Sequence, residues 1–378
     1  MKQRIEKLVS EYDSQGWHRT GTEIDRISIN WLAKKVSGLG LSAELVSYEL
    51  DRVDVAQAFV QSAAQVIEGT PLFDCSYTDS RGISGEFTTD TDADGIVLLG
   101  PEHWGEGLRS VRLVNRASAI VAVTRGHIPG LSLANAWEFS EPFGPPVLQV
   151  SSFDSEKLFE WHRAERSVQV VIEANRKPAG SASVVARIAG ADDSLSPVVV
   201  NTPLSGWWNI AAERGGGIAC WIEIMRAMTE NTPRRTIIFS ANTGHELGFI
   251  GLENLLDQEK DLAKNATWVH FGANIGSKTG TKGTISVSSD SLEEIAKETV
   301  AGSVVRPTEV RRVPGSSVLR AGGEMGSVAR RGGQKYLSLT NDSEYFHMRE
   351  DRFSNNIDVD VISSYATAFT DVVRRLTQ

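Results

Sequence analysis

Residues 234–251 read RRTIIFSANTGHELGFIG, and this stretch decides the fold. The apolar run Thr236–Ser240 predicts a buried β-strand, and the polar turn after it carries His245 and Glu246 side by side. The carboxyl ends of the strands in a parallel α/β sheet are where binding sites form. The pair is therefore a candidate metal ligand and proton-transfer group. The alternative is a helix N-terminal turn, where an acidic residue simply favours the helix dipole.

Strand and helix patterns alternate on both sides of this stretch, from about residue 181 to the C-terminus. Such alternation predicts an α/β fold with a mainly parallel twisted sheet flanked by helices. Residues 54–174 differ, because short β-like runs alternate there with turn-rich segments around one helix pattern, 106–117. We therefore predict one α/β catalytic domain, residues 1–53 and 175–378, with a small β-rich inserted domain at 54–174.

Composition limits the classes of partner. The chain has 378 residues and a formal net charge of −9, which disfavours nucleic acid and anionic membrane surfaces as partners. Residues 1–12 form a charged amphipathic pattern rather than a signal peptide, and no apolar run reaches membrane-spanning length. We expect a cytoplasmic protein. A homo-oligomer is compatible with the sequence.

The two cysteines, Cys75 and Cys220, lie far apart and outside any CxxC spacing. This excludes a disulfide scaffold and disfavours a cysteine-ligated zinc. Cys220 falls in an apolar helical run and is expected to be a small buried hydrophobic residue.

Four polar side chains fall in loops that follow strands or open helices: Glu213, His245, Glu246 and His347. Loops at one end of a parallel sheet meet in space, so these side chains can converge. Two carboxylates and one imidazole suit a zinc-like ion with an open fourth position, which is typical of catalytic sites. His245, next to a ligand, is then the candidate general base.

Further polar and aromatic residues flank these positions. Trp207, Trp208, Asn201 and Tyr345 are candidate substrate-binding residues, although paired tryptophans more often serve packing. Glu324 is one of several groups near strand ends that could support a ligand. We expect His270 to be a core residue and Asp351 to serve helix entry. The run Gly215-Gly-Gly has the alternative reading of a helix packed tightly on a neighbouring strand.

The order of these segments resembles the zinc aminopeptidase and glutaminyl cyclase family of metallopeptidase clan MH. RRTIIFSANTGHELGFIGLENLL resembles its strand ending in Glu-Glu-x-Gly, and YFHMREDRFSNNIDVDVISSYATAF resembles its Tyr-His-x-x-x-Asp segment before the last helix. DADGIVLLG, VRLVNRASAIVAVT and GPPVLQV resemble the strand–helix–strand pattern of a protease-associated domain. The resemblance implies a phosphorylase/hydrolase-like sheet of the zinc aminopeptidase type, with a protease-associated insert at 54–174.

The chain departs from the family pattern at several ligands. The His-x-Asp position reads Asn201-Thr-Pro203, and the Asn-x-Asp position reads Phe271-Gly-Ala273. His245 replaces the glutamate that serves the family as general base. The positions of Glu213, Glu246 and His347 resemble those that hold the single zinc of glutaminyl cyclases. The resemblance therefore implies one divalent ion, zinc first and manganese or another transition metal next.

Three functions remain open at this point. The first is a metal-dependent hydrolase that cleaves an amide or other C–N bond in a small or peptide-like substrate, with His245 as acid/base. The second is a non-catalytic protein of aminopeptidase fold that serves binding or assembly, which pairing of the candidate carboxylates with arginines such as Arg214 would favour. The third is an ordinary metal-dependent aminopeptidase, which usually needs two ions.

Overall fold

The computed structural model describes residues 1–300, 302–313 and 322–378, which fall into two units. The first unit comprises Met1–Glu49, Gly180–His245 and Phe249–Gln378, and the second comprises Leu50–Ala179 and Glu246–Gly248. The described strands, numbered along the chain, are β1 (Glu44–Ser62), β2 (Gln65–Glu68), β3 (Thr70–Pro71), β4 (Ile83–Thr88), β5 (Gly95–Leu99), β6 (Ala117–Val123), β7 (Val147–Val150), β8 (Ser167–Ile188), β9 (Val198–Pro203), β10 (Ile237–Asn242), β11 (Thr267–Phe271), β12 (Gly283–Val287), β13 (Thr308–Arg312) and β14 (Tyr336–Asn341).

The first unit contains one sheet with the strand order β13-β12-β14-β11-β9-β10-β8. Strand β9 is parallel to β10 and β11, β11 is parallel to β14, and β12 is parallel to β13. Strands β8 and β12 pair antiparallel with β10 and β14. The described helices of this unit are Lys2–Asp13, Glu23–Ser37, Gly216–Met228, Ile250–Gln258, Leu262–Asn265, Asp290–Thr299, Gly323–Arg330, Phe353–Asn356 and Val359–Leu376. The predicted α/β fold with a mainly parallel sheet is confirmed.

Alternate residues of the central strands enter two different hydrophobic clusters. Val200 and Phe239 belong to one cluster, with Trp221 and Phe369 from the helices on that face. Val199 and Ile238 point the other way, into a cluster with Leu252 and Met325. Because successive side chains of a strand point to opposite faces, helices cover both faces of this sheet. Polar residues at strand ends are thereby enclosed.

Local sequence signals predicted most elements well. Thr22 caps the second helix, since its hydroxyl accepts the backbone N–H of Asp25 at 3.3 Å. The helices Ser155–Arg163 and Gly323–Arg330 were not predicted. The glycines of 322–333 favoured a loop, and burial of Met325 and Val328 against the sheet overrides that preference.

The second unit has its own sheet and its own two-sided core. Strands β3, β7, β6, β5 and β4 lie side by side, followed by the first part of β8. Ile96 and Leu98 of β5 enter one cluster, and Val97 and Leu99 enter another. Its described helices are Glu106–Val114 and Ser155–Arg163. The predicted insert, 54–174, falls within this unit, and its kinship with protease-associated domains remains a prediction.

Within the described residues, no helix combines the length and the apolar character needed to cross a bilayer.

Candidate active site

Several polar residues, most of them predicted site residues, lie at the carboxyl edge of the first unit's sheet. Asn201 lies on β9, His270 lies on β11, and His245 lies in the 3₁₀ turn that follows β10. His347 lies in the chain segment after β14. Since β10, β9, β11 and β14 are consecutive parallel neighbours, their ends bring these side chains to one edge of the sheet.

Glu324 is the centre of a buried group that we call the Glu324 cluster, which consists of Asn201, His245, His270 and Glu324. Its Oε1 lies 3.5 Å from Nδ1 of His245, and its Oε2 lies 3.6 Å from Nε2 of His270. Nδ2 of Asn201 donates to Oε2 at 2.6 Å. The histidine distances exceed those of well-formed hydrogen bonds, so these contacts are mainly electrostatic.

Neighbouring strands fix the orientation of the Glu324 cluster. Nδ2 of Asn242 donates to Oδ1 of Asn201 at 2.5 Å, and Oγ of Ser240 donates to Oδ1 of Asn242 at 2.8 Å. On the other side, Nδ1 of His270 lies 2.8 Å from Oγ of Ser338. Because buried polar groups hold one arrangement when their hydrogen bonds are made, Asn201 fixes Oε2 of Glu324 on one side, and Ser338 orients the ring of His270 on the other.

The pKa values of this cluster separate the roles of its members. Burial and the positive charge of Arg214 lower the pKa of His245 to about 4, against the opposing influence of Glu324. Burial by itself would raise the pKa of Glu324, but His245 and His270 outweigh it and lower that pKa to about 2. At neutral pH the cluster therefore holds a carboxylate anion beside a neutral imidazole.

Glu213 faces a second group of residues. It lies in the π-helical turn Ala211–Gly215, where its Oε1 is 3.5 Å from Nε2 of His347. The backbone N–H of His347 donates to its Oε2 at 3.3 Å. The carboxylate of Asp351 accepts the backbone N–H groups of Ala212 at 3.0 Å and of Glu213 at 2.9 Å, and so holds the turn in place. Burial raises the pKa of Asp351 to about 7 despite these donors.

Arg214 places a permanent positive charge beside this group. Its side chain is 1% exposed, and Nη2 lies 2.7 Å from Oε1 of Glu213. Its Nε donates to the carbonyl of Ser205 and its Nη1 to the carbonyl of Gly272, both at 3.0 Å. An arginine side chain is not deprotonated in proteins, so the guanidinium stays charged even when buried.

Backbone strain is concentrated around the site. In the described part of the first unit, the non-glycine residues with positive φ are Trp208, Ile210, Phe249, Asn274 and His347. The β-branched Ile210, at φ 46°, is the least tolerant of this conformation. Such residues cost on the order of 1–3 kcal/mol each and cluster at functional sites, where the surrounding structure holds them.

The predicted aromatic residues are packed. Trp207 is fully buried, and Nε1 of Trp208 donates to the carbonyl of His347 at 3.1 Å. The guanidinium of Arg349 lies 4.2 Å from the ring centroid of Trp208. Tyr345 is partly exposed, two residues before His347. Substrate binding by Trp207, Trp208, Asn201 and Tyr345 stays a prediction.

Glu246 is fully buried and belongs to the second unit. Its backbone carbonyl accepts the N–H of Ala136 at 2.8 Å. Its role as a metal ligand stays a prediction.

Sequence reasoning underrated three residues of the site. His270 was expected to serve only the core, and it instead contacts Glu324. Glu324 itself was one of several residues near strand ends, and Arg214 was only a potential partner of a carboxylate. A charged residue directly beside Glu213 and a glutamate inside the apolar pattern of 323–330 were the available signals.

Residues 209–373 match the model of peptidase family M28. Three solved structures share the fold at low identity. They are a zinc aminopeptidase from Bacillus subtilis (15% identity, TM-score 0.79, covering 100% of this chain and 95% of that chain), a peptidase M28 precursor from Shewanella amazonensis (15%, 0.74, 100% and 96%) and an aminopeptidase from Aneurinibacillus (12%, 0.72, 98% and 93%). Among curated proteins, no sequence matches this chain.

These findings confirm the predicted resemblance to zinc aminopeptidases. The M28 domain supports a hydrolase, and together with the solved structures it supports the coarser prediction of a metal-dependent peptidase. The Bacillus subtilis protein of this fold is a zinc aminopeptidase, and zinc is a divalent ion.

The residues of this chain do not fit such an ion. Oε1 of Glu213 is ion-paired with Arg214 at 2.7 Å, and Oε2 accepts the backbone N–H of His347. Across residues 1–300, 302–313 and 322–378, no three His, Cys, Asp or Glu side chains are grouped closely enough to hold a metal. The zinc set of Glu213, Glu246 and His347 stays a prediction, and the ion pair between Arg214 and its first carboxylate argues against it.

Proposed function

Because the chain carries a peptidase family M28 domain, we propose that it hydrolyses an amide or other C–N bond in a small or peptide-like substrate, with His245 as the proton-transfer group. One observation supports this role above others. The side chain of His245 keeps 10% of its surface exposed, whereas its partner Glu324, 3.5 Å away, is fully buried. The imidazole is therefore the accessible end of a buried carboxylate–imidazole pair.

The charge states of this pair suit general base and acid catalysis. Because Nδ1 lies 3.5 Å from the carboxylate of Glu324, that charge favours the tautomer with its proton on Nδ1, which leaves Nε2 to accept a proton from an attacking water. The imidazolium formed in this way is stabilised by the carboxylate of Glu324. It then returns the proton to the leaving amine, so that water and amide become acid and amine.

The substrate class follows from the relatives. The family model is that of peptidases and the similar structures include aminopeptidases, which favours a peptide-like substrate here. The glutamate that serves this family as general base is replaced by His245, which is neutral when unprotonated. This change of the base disfavours ordinary aminopeptidase activity in this chain.

The direct test is amine release from a panel of aminoacyl amides, dipeptides and simple carboxamides by the full chain. We expect His245→Gln to lower kcat by about 10²- to 10⁴-fold, the usual contribution of a general acid–base group. His103→Gln, a change at a 41% exposed histidine, serves as the matched control and should leave kcat unchanged. Full activity of His245→Gln on a cleaved substrate would contradict the proposal.

Glu324→Gln tests the partner of His245. The amide keeps the size of the side chain but cannot stabilise an imidazolium as a carboxylate does, so kcat should fall while KM changes little. Glu309→Gln, at an exposed position on β13, is the control. Equal kcat values for Glu324→Gln and the unmodified protein would remove Glu324 from the mechanism.

A second candidate is a binding protein of the same fold, which the ion pair between Glu213 and Arg214 favours. Such a protein would bind peptides without cleaving them. The two candidates separate in one measurement, because a peptide that raises the melting temperature and stays intact after prolonged incubation indicates binding alone.

A further inference from the structure

Arg214 directly follows Glu213 in the π-helical turn, and its side chain is buried in the site. The guanidinium and the carboxylate of Glu213 are 1% and 0% exposed, with 2.7 Å between Nη2 and Oε1. A buried charge pair of this kind persists where additional hydrogen bonds satisfy the groups. The stability of the pair therefore depends on the groups that surround it.

The guanidinium connects separate loops at the strand ends. Nε donates to the carbonyl of Ser205, after β9, and Nη1 donates to the carbonyl of Gly272, after β11. Two of its nitrogens thus donate hydrogen bonds to backbone carbonyls, and the third, Nη2, is ion-paired with Oε1 of Glu213. The planar guanidinium suits several acceptors in fixed directions, as a metal ion does through its coordination shell.

The charge arrangement excludes an added cation at Glu213. A metal ion bound by this carboxylate would stand within a few ångströms of the guanidinium, where two like charges repel strongly in a buried environment. Arg214 already reduces the net charge of the pair to zero. Its field also reaches His245, since it lowers the pKa of that imidazole.

We propose that the guanidinium of Arg214 supplies the positive charge that a metal ion would otherwise supply to Glu213, so that this protein assembles its site without a divalent ion. The inference concerns the cation at Glu213 and does not depend on the substrate or on the role of His245. It explains why Glu213 and His347 stay adjacent, with 3.5 Å between Oε1 and Nε2, although the chain lacks other ligands of the family pattern.

The first experiment measures metal content and thermal stability of the unmodified full chain. The protein is purified without chelator, and its zinc and manganese are determined by mass spectrometry. Its melting temperature is then compared in EDTA, in buffer and with added ZnCl₂. We expect far less than one ion per chain and no change of melting temperature. About one tightly held ion per chain, with a lower melting temperature in EDTA, would overturn the proposal.

The second experiment removes the guanidinium of Arg214 and asks whether zinc then stabilises the folded protein. Arg214→Met keeps the unbranched stem of the side chain but leaves the buried carboxylate of Glu213 without its cation. We expect a lower melting temperature in EDTA that ZnCl₂ raises again, because zinc binds the folded state at the vacated carboxylate. Arg234→Met, at a 62% exposed arginine, controls for loss of an arginine and should not respond to zinc.

Two further variants keep the test decisive if Arg214→Met folds poorly. Arg214→Lys retains the positive charge, so its melting temperature should be insensitive to zinc. The double variant Glu213→Gln with Arg214→Met lacks the carboxylate, so zinc should no longer stabilise it. A zinc response equal in Arg214→Lys, the double variant and Arg214→Met would show that the ion binds elsewhere and would overturn the proposal.

Discussion

His245 and Glu324 show how single residues determine the chemistry of the site at neutral pH. The imidazole is held neutral by burial and by the charge of Arg214, with a pKa of about 4. The carboxylate is held ionised by its two histidine neighbours, with a pKa of about 2. At neutral pH the site therefore offers an unprotonated imidazole that can accept a proton, beside an ionised carboxylate.

The pH profile of activity tests the state of His245. Its pKa is lowered from the ordinary value of 6.5 to about 4, so the base form persists as pH falls and is lost only when pH passes through about 4. We expect kcat/KM to stay level from pH 8 to about pH 5, apart from other titrations, and to decline near pH 4. An acidic limb centred at pH 6.5 would contradict a buried neutral imidazole.

At the level of elements, the first turn of the helix Gly216–Met228 fixes the site against the sheet. A Cβ at Gly216 would lie 1.7 Å from the carbonyl oxygen of Ile275, and one at Gly217 would lie 2.9 Å from Oγ1 of Thr202. The alternative reading of this glycine run, a close approach of helix and strand, is therefore correct. The turn with Glu213 and Arg214 immediately precedes this contact.

Gly216→Ala should accordingly destabilise the protein. The added methyl group meets backbone rather than a mobile side chain, so we expect a loss of unfolding free energy of about 3 kcal/mol. Gly38→Ala is the control, since its Cβ would meet atoms no closer than 3.4 Å at an ordinary φ of −64°. Its unfolding free energy should change by less than about 1 kcal/mol. Urea unfolding measures both, and equal values for the two variants would contradict the tight contact.

Asp351 holds the turn before the same helix, and its titration should make the stability of the folded protein depend on pH. Its folded-state pKa is raised from 3.8 to about 7, so the folded protein binds the proton more tightly than the unfolded chain. The contribution of Asp351 to stability is thus fullest below about pH 4 and is lost as pH rises through about 7.

Asp351→Asn removes this titration. The difference in unfolding free energy between the unmodified protein and Asp351→Asn should be smaller at pH 8 than at pH 5. The stabilisation of the folded protein by Asp351 declines over that interval, whereas asparagine does not titrate. Taking the difference cancels the titration of His245. The measurement is urea unfolding at both pH values, and a difference that grows toward pH 8 would contradict the raised pKa.

At the scale of the whole molecule, the net charge of −9 predicts that nucleic acid and anionic membranes are poor partners. A net negative charge repels phosphate groups, so we expect no saturable binding to duplex DNA or to anionic vesicles at physiological salt. Fluorescence anisotropy and vesicle sedimentation measure this directly. Saturable binding at micromolar concentration would require a basic surface that the overall charge conceals.

The sequence by itself determined the α/β fold, the position of the site at the strand ends and the departures from the family's ligand pattern. These follow from local periodicity and from the types of neighbouring residues, which the chain carries in order. His245 was identified in this way, because it follows the apolar strand directly.

Only the tertiary structure decided which side chains meet. Glu324, 79 positions after His245 in the chain, contacts it because the helix Gly323–Arg330 packs its apolar residues on the sheet. The pairing of Glu213 with Arg214 depends on a turn whose backbone is held by Asp351 from a distant segment. Long-range contacts of this kind leave no periodic signal in a single sequence, since they arise from packing of whole elements.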